Sequence, residues 1–345
     1  PDSEGHGTEK VIESIHKRNG DLRARVVPVK IVTTTITAAF GGSIGKEGPA
    51  AQIGAALASV FAKIFHFSPG DRKRLVICGI SAGFAAVFGT PIAGAIFGVE
   101  VLIVGSIMYE VLLPSFIAGM VSFQVASGLG VHYESHLLTI EPQFSAMLFL
   151  KVIISGMFFG LCAIFFIWVM KFGHHMSDRL KIWAPLKGLV GGVLLIALAM
   201  IFSTDYLGLG LDTMEHVLKG GTIIWYAFIL KAIMTSITLG FGGSGGIVTP
   251  IFYIGVASGA TYAHLVGENP ILFAAIGFVS LLAGAANTPL AASIMAVELF
   301  GPTIGPYATL AAVLSFLFTG HRSAYASQVL GINKCDSIAA DPGED

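Results

Sequence analysis

One Gly-rich interruption occurs twice in this chain, and it constrains the fold more than any other feature. Residues 30–49 run Lys-Ile-Val-Thr-Thr-Thr-Ile-Thr-Ala-Ala-Phe-Gly-Gly-Ser-Ile-Gly-Lys-Glu-Gly-Pro. Residues 231–250 repeat Lys30, Thr34, Ile36, Thr37, Phe40, Gly41, Gly42, Ser43, Gly45 and Pro49 at a constant offset of 201 without a gap. The likeness continues downstream, where Thr90-Pro91 opens a segment ending at Glu100 and Thr288-Pro289 opens one ending at Glu298. Paired breaks inside apolar segments are the mark of a duplicated membrane architecture, and they point to a transport site at mid-membrane.

Composition agrees. The 345 residues are 54% hydrophobic and only 12% charged, with mean hydropathy +0.80, where a soluble domain carries about 25% charge. Uncharged windows at 75–99, 111–133, 152–170, 188–204, 232–267, 269–297 and 299–321 each hold one spanning helix of about 20 residues, or a broken pair in the longest. The runs are continuous rather than alternating, which excludes a β-barrel. The expected fold class is therefore an all-α, multi-spanning membrane protein. A net charge of −1 gives no nucleic-acid signal. Cys78, Cys162 and Cys335 have no metal or redox spacing, so no metal and no cofactor is expected, and Cys78 and Cys162 read as buried thiols. The chain begins at Pro1 without Met or a signal-peptide pattern, so Pro1 is not expected to be the native start.

In chain order, residues 1–25 read either as a disordered terminus or as a short interfacial helix around Val11–Ile15, broken at Asn19-Gly20. An apolar, Thr-rich helix over 26–40 stops at Gly41-Gly42. Its threonines can bond back to their own backbone. A new helix is expected from Pro49, since Pro fits the first turn. Asp71-Arg72-Lys73-Arg74 reads as a charged hinge, cytoplasmic by the positive-inside tendency. Further helices are expected at about 75–88, from 91 past 100, at 108–130, 145–170, 188–203 and 222–241, and from Pro250 and Pro289, with the last span ending at Gly320. Residues 171–187 read as a polar connection. The first repeat covers about 5–130 and the second about 145–330, so the transmembrane domain is 1–330, followed by a tail or linker over 331–345.

In hydrocarbon every backbone polar group needs a partner, so helix breaks are tolerated only where they line a cavity. The first N–H groups of each restarted helix lack intrahelical partners and attract negative charge. Physics alone thus predicts an anion held between Gly45–Pro49 and Gly246–Pro250. Glu47 places a carboxylate at this site. An intramembrane ionisable group is a functional candidate: its carboxylate can occupy the anion's place, and protonation would release it, making it a gate, a proton carrier or both. The structural alternative is a Glu stabilised by the dipole of its own helix. Glu100 and Glu298 read as structural, bonded to backbone or hydroxyls. Lys30 and Lys231 either snorkel to the interface or supply positive potential.

Gly45-Lys46-Glu47-Gly48-Pro49, the second Gly-rich segment and Tyr325 together resemble the CLC family of voltage-gated chloride channels and chloride/proton antiporters, over about residues 5–330. The resemblance implies a homodimer with one ion pathway per subunit, built from inverted repeats of tilted and broken helices; relative to that pattern the first N-terminal helices are lacking here. It implies Glu47 as the gating glutamate. It implies anion contacts from His6, Lys46, Gly48, Ile247, Val248 and Tyr325, with filter segments at Gly5, Gly7, Gly45, Pro49, Gly246 and Pro250. Gly5-His6-Gly7-Thr8-Glu9 stands against G-S-G-I-P, so His6 replaces the usual Ser and Glu9 the usual Pro. Val248 replaces the usual Phe of G-x-F-x-P. The internal proton glutamate of the exchangers falls on Val101.

These features imply passive transport of chloride or a similar small anion, with chloride/proton antiport through Glu47 as the alternative. The partners expected are a small anion, protons in the antiport case, the lipid bilayer and a second copy, in the plasma membrane of a prokaryote. A cation-coupled transporter would need converging carboxylates or carbonyls, which the breaks do not present. An intramembrane serine protease built on Gly243-Ser244-Gly245 lacks a suitably placed His.

Overall fold

The computed structural model describes residues 5–133, 142, 145–331 and 334. The described residues are mostly helical. The first repeat contains α1 (Gly7–Arg18), α2 (Val26–Ala39), α3 (Glu47–Ile64), α4 (Pro69–Phe88), α5 (Pro91–Glu100) and α6 (Tyr109–Gly128). Then follow α7 (Ala146–Arg179) and α8 (Ala184–Ile201). The second repeat contains α9 (Leu211–Leu218), α10 (Ala227–Gly240), α11 (Val248–Val266), α12 (Pro270–Ala286), α13 (Pro289–Phe300) and α14 (Gly305–Thr319). The four strands are two residues each: β1 (Gly5–His6), β2 (Ile103–Val104), β3 (Ser244–Gly245) and β4 (Val329–Leu330).

The offset of 201 maps α2 onto α10 residue for residue, and α1 onto α9. The helices α11 and α12 pack against each other as α3 and α4 do, and α5 meets α13 between the halves. Among the described residues α6, α7 and α8 are long and apolar enough to cross a bilayer. Of these, α8 buries only Gly191, leaving the rest of its apolar surface outward, as a lipid-facing helix requires. By contrast α12 is buried along nearly its whole length and forms the centre of the core.

Several polar groups inside this core are satisfied across the repeat boundary. The Ser43 N–H donates to Thr238 Oγ1 at 3.0 Å, and the repeat-equivalent Ser244 N–H donates to Thr37 Oγ1 at 3.2 Å. Thr37 and Thr238 in turn bond back to the carbonyls of Thr33 and Met234, as the Thr-rich pattern led us to expect. The Glu100 carboxylate accepts from the Leu290 and Ala291 N–H groups at 2.9 and 2.8 Å, capping α13. The Glu298 carboxylate does the same for Ile92 and Ala93 of α5, at 3.0 and 2.8 Å. Each TP helix therefore ends in the cap of the other. Lys30 and Lys231 are fully buried and do not snorkel. Lys30 Nζ donates to the Gly5 carbonyl at 2.9 Å. Lys231 Nζ donates to the carbonyls of Tyr206, at the equivalent offset, and Gly208, at 3.2 and 2.9 Å.

The structure corrects several expectations. Helix α1 buries Val11, Ile12 and Ile15 and is neither interfacial nor disordered; it does end at Asn19, which adopts the left-handed conformation. Asp71–Arg74 form no hinge but the first turns of α4, capped by Ser68, which accepts from the Asp71 N–H at 3.1 Å. Residues 171–179 are not a connection but the end of α7. Helices α3 and α11 start at 47 and 248, each two residues before the expected Pro. Helix α9 had no counterpart in the reading. Cys162 is buried, whereas Cys78 is half-buried. Cys335 and the tail from Asp336 lie outside the described residues.

Replacing Glu100 by Ala removes the acceptor of two N–H groups inside the core, an expected cost of about 1–3 kcal/mol. A lowered thermal midpoint of the detergent-solubilised protein, with a smaller loss for Glu100→Gln, is the check.

Candidate functional site

The two breaks meet face to face. Gly45 and Gly246 exchange reciprocal backbone hydrogen bonds, both 2.7 Å, forming an antiparallel bridge. Beside it β1 pairs in parallel with β3, placing Gly5 opposite Ser244 and His6 opposite Gly245. The N-termini of α1, α3 and α11 are thereby drawn to one point. A side chain could not fit between them. A Cβ on Gly48 would lie 2.9 Å from the Gly246 Cα, closer than packed atoms approach. Gly7 is held equally tightly against the Gly48 carbonyl.

Glu47, at the first position of α3, is 1% exposed. Its carboxylate does not turn back onto its own helix. It crosses to α11, where Oε1 accepts from the Thr249 N–H at 2.9 Å and Oε2 from the Thr249 hydroxyl at 2.5 Å. The carboxylate thus occupies a helix N-terminus that would otherwise attract an anion. Tyr325 lies in the segment after α14 and is 1% exposed. Its hydroxyl has no hydrogen-bond partner among the described residues, and Thr8 and Glu47 face it. Its ring is 5.6 Å from the imidazole of His6, whose Nδ1 is also buried without a partner.

Two cavities approach this point. One, of ≈ 670 Å³, is lined by Gly5, His6, Glu9, Lys10, His174 and Ser244 among others. The other, of ≈ 350 Å³, is lined by Lys46, Tyr133, Thr249 and Phe252 among others. Thr249, which holds the Glu47 carboxylate, lines the second cavity, and His6 and Ser244, beside the Gly45–Gly246 bridge, line the first.

The structure therefore gathers Gly5, His6, Gly7, Gly45, Glu47, Gly48, Gly246 and Tyr325. Ile247, Val248, Pro49 and Pro250 are buried in the first turns of α3 and α11. Lys46 is the exception: its side chain is exposed toward the second cavity. Val101 is fully buried in the apolar core, with its carbonyl taken by Gln328 Nε2 at 2.9 Å. Sequence reasoning passed over Thr249, the partner of the central carboxylate. Its signal was present, since Thr249 is the repeat counterpart of Gly48 and puts a hydroxyl at a helix N-terminus. Ser244 is no nucleophile candidate here, because its side chain is hydrogen-bonded with the Thr33 and Thr34 hydroxyls.

A duplicated membrane domain whose helix breaks converge on one carboxylate is the architecture of an anion-transport protein. Residues 1–320 match the family model described as voltage gated chloride channel, and the chain belongs to that family. It is 38% identical over 336 residues to the chloride/fluoride channel protein of Pseudomonas syringae pv. tomato, covering 95% of this chain and 74% of the relative. It superposes on the crystal structure of a CLC-type fluoride/proton antiporter with a TM-score of 0.90 at 28% identity, over 93% of this chain and 82% of the other. The fold also matches a slow cyanobacterial Cl−/H+ antiporter, with a TM-score of 0.80 at 22% identity, over 94% of this chain and 80% of that one. The chain is thus an integral membrane protein of an anion-transporting family.

Thr249→Val removes one hydrogen bond to a charged group, worth about 1.5–3 kcal/mol. The expected result is weaker retention of the Glu47 carboxylate and anion flux at neutral pH raised about tenfold, measured by anion efflux from proteoliposomes.

Proposed function

We propose that the protein exchanges a small halide, fluoride or chloride, for protons through one Glu47-gated pathway per subunit. The observation that carries this reading is the Glu47 carboxylate held by the N–H and hydroxyl of Thr249, a residue that lines the smaller cavity. A carboxylate in that place is a tethered stand-in for the transported anion. A halide can take the Thr249 donors only when the carboxylate leaves, and protonation is what lowers its hold on them. Each exchange at the site is then a trade of proton for anion. The unpartnered Tyr325 hydroxyl is a donor ready for the halide, as is His6 in the tautomer that protonates Nδ1. Fluoride, the strongest hydrogen-bond acceptor of the halides, gains most from such donors. The names of the relatives support both halides and support coupling.

The second reading is passive conduction. It rests on the apolar Val101, which offers no titratable group at that position. In either case we take the working unit to be a homodimer in the plasma membrane of a prokaryote, as the resemblance to the family implies.

The test is simultaneous anion and proton flux from proteoliposomes carrying a fluoride or a chloride gradient. Exchange predicts that the anion gradient drives protons uphill, and that Glu47→Gln cuts proton flux by about a hundredfold or more. Anion flux without proton movement would overturn exchange in favour of conduction.

A further inference from the structure

The larger cavity ends on a second buried carboxylate that the gate does not use. Glu9 lies on α1, one turn from His6. Its Oε1 accepts from both the N–H and the hydroxyl of Ser327, at 2.7 and 2.5 Å. Its Oε2 is buried with no hydrogen-bond partner among the described residues, and Glu9 is one of the residues lining the cavity of ≈ 670 Å³. A carboxylate oxygen buried without a donor costs free energy, and a proton taken from water in the cavity would remove that cost. Ser327 stands two residues beyond Tyr325, so its two bonds fix Glu9 to the segment that carries the tyrosine. The Tyr325 hydroxyl is buried as well, and the charges of Glu9 and Glu47 both act on it. Glu9 thus borders the cavity and, through Ser327, is tied to the segment that carries Tyr325.

We propose that Glu9 is the residue through which protons enter from the larger cavity on their way to Glu47; this rests on the exchange reading above. A proton from cavity water adds to Glu9 Oε2, giving the neutral acid. The acid then gives up that proton, and the Glu47 carboxylate takes it up. Glu9 returns to carboxylate, and Glu47 is neutral and free to leave Thr249. One proton enters and one arrives. The charged and titratable groups facing Glu9 are Lys10 and Glu13 on its own helix and Tyr325 beyond α14. Across the cavity stand His174 and Asp178 of α7, with Lys187 of α8 at its wall. Lys10 and Glu13 oppose one another, so neither fixes the charge of Glu9 alone.

The experiment compares proton-to-anion ratios in proteoliposomes for wild type, Glu9→Gln, Glu9→Asp and Ser327→Ala. Glu9→Gln keeps the acceptor of Ser327 and fits the same space, but cannot carry a proton. The expected result is continued anion flux with proton flux lowered about tenfold or more, partial recovery in Glu9→Asp, and retained coupling in Ser327→Ala. A Glu9→Gln variant with the wild-type ratio overturns the proposal while leaving exchange intact. Equal loss of both fluxes in Glu9→Gln and Ser327→Ala also overturns it, since Glu9 is then only a brace. A wild type that moves no protons overturns this proposal and the exchange reading together.

Discussion

Two hydrogen bonds between Gly45 and Gly246 hold the structure at its weakest point. A helix broken inside a membrane exposes backbone groups that lipid cannot satisfy. Neither break can satisfy its own. The chain solves the problem by making each repeat the partner of the other. Gly45 closes on Gly246, the Ser43 and Ser244 N–H groups reach the opposite Thr, and Glu100 and Glu298 cap the opposite TP helix. Folding of the site is therefore folding of the interface between repeats, and no half of the chain contains a usable break. The same closure places three helix N-termini around one small volume, which makes an anion site a consequence of the architecture.

What fills that volume decides what the site can do. The Thr249 N–H is the orphan donor of a helix start, and its hydroxyl adds a second donor three bonds away. A carboxylate fits both, and so does a small anion with fewer contacts. Charge-assisted bonds of this kind are each worth about 1.5–3 kcal/mol, strong enough to hold Glu47 in place and weak enough to be exchanged. The Gly45 and Gly246 backbones supply the space, because a Cβ on Gly246 would come 2.6 Å from Glu47 Oε1.

Much of this was legible in the sequence, and the failures have physical causes. The repeat, the breaks, the meeting of residues 45–49 and 246–250, and the central place of Glu47 followed from Gly and Pro placement and helix-end chemistry, whereas residues 5–9 were brought to the site only by the resemblance to the family. Helix α9 was missed because Leu211–Leu218 carries Asp212, Glu215 and His216 and has no apolar run; only the offset from α1 marks it. Helix α1 was misplaced because Glu9, Lys10 and Glu13 look like a solvated face. Glu9 and Lys10 instead line an internal cavity, while the opposite face enters the core. Residues 171–179 look like a loop because of their charges, yet α7 continues through them, and His174 and Asp178 reach the cavity wall. The reciprocal caps and the Thr–Ser bonds join residues some 190 to 210 positions apart, and no local pattern encodes such a partner.

The offset that reveals the symmetry also reveals where it is abandoned. Lys46, Glu47 and Gly48 correspond to Ile247, Val248 and Thr249. The flanking glycines and prolines are kept in both repeats because the backbone closure needs them. The three positions between them diverge because a symmetric site would have nothing to move. Two glutamates would repel one another across the gap, and two valines would leave the helix starts without a resident anion. With one glutamate opposite one valine, and a hydroxyl where the other repeat has Gly48, a single carboxylate has a single seat. The seat belongs to the opposite helix, so the carboxylate is not bound by its own secondary structure and can be displaced without unfolding it. Duplication builds the gap, and the divergence of three residues leaves it with one carboxylate in one seat.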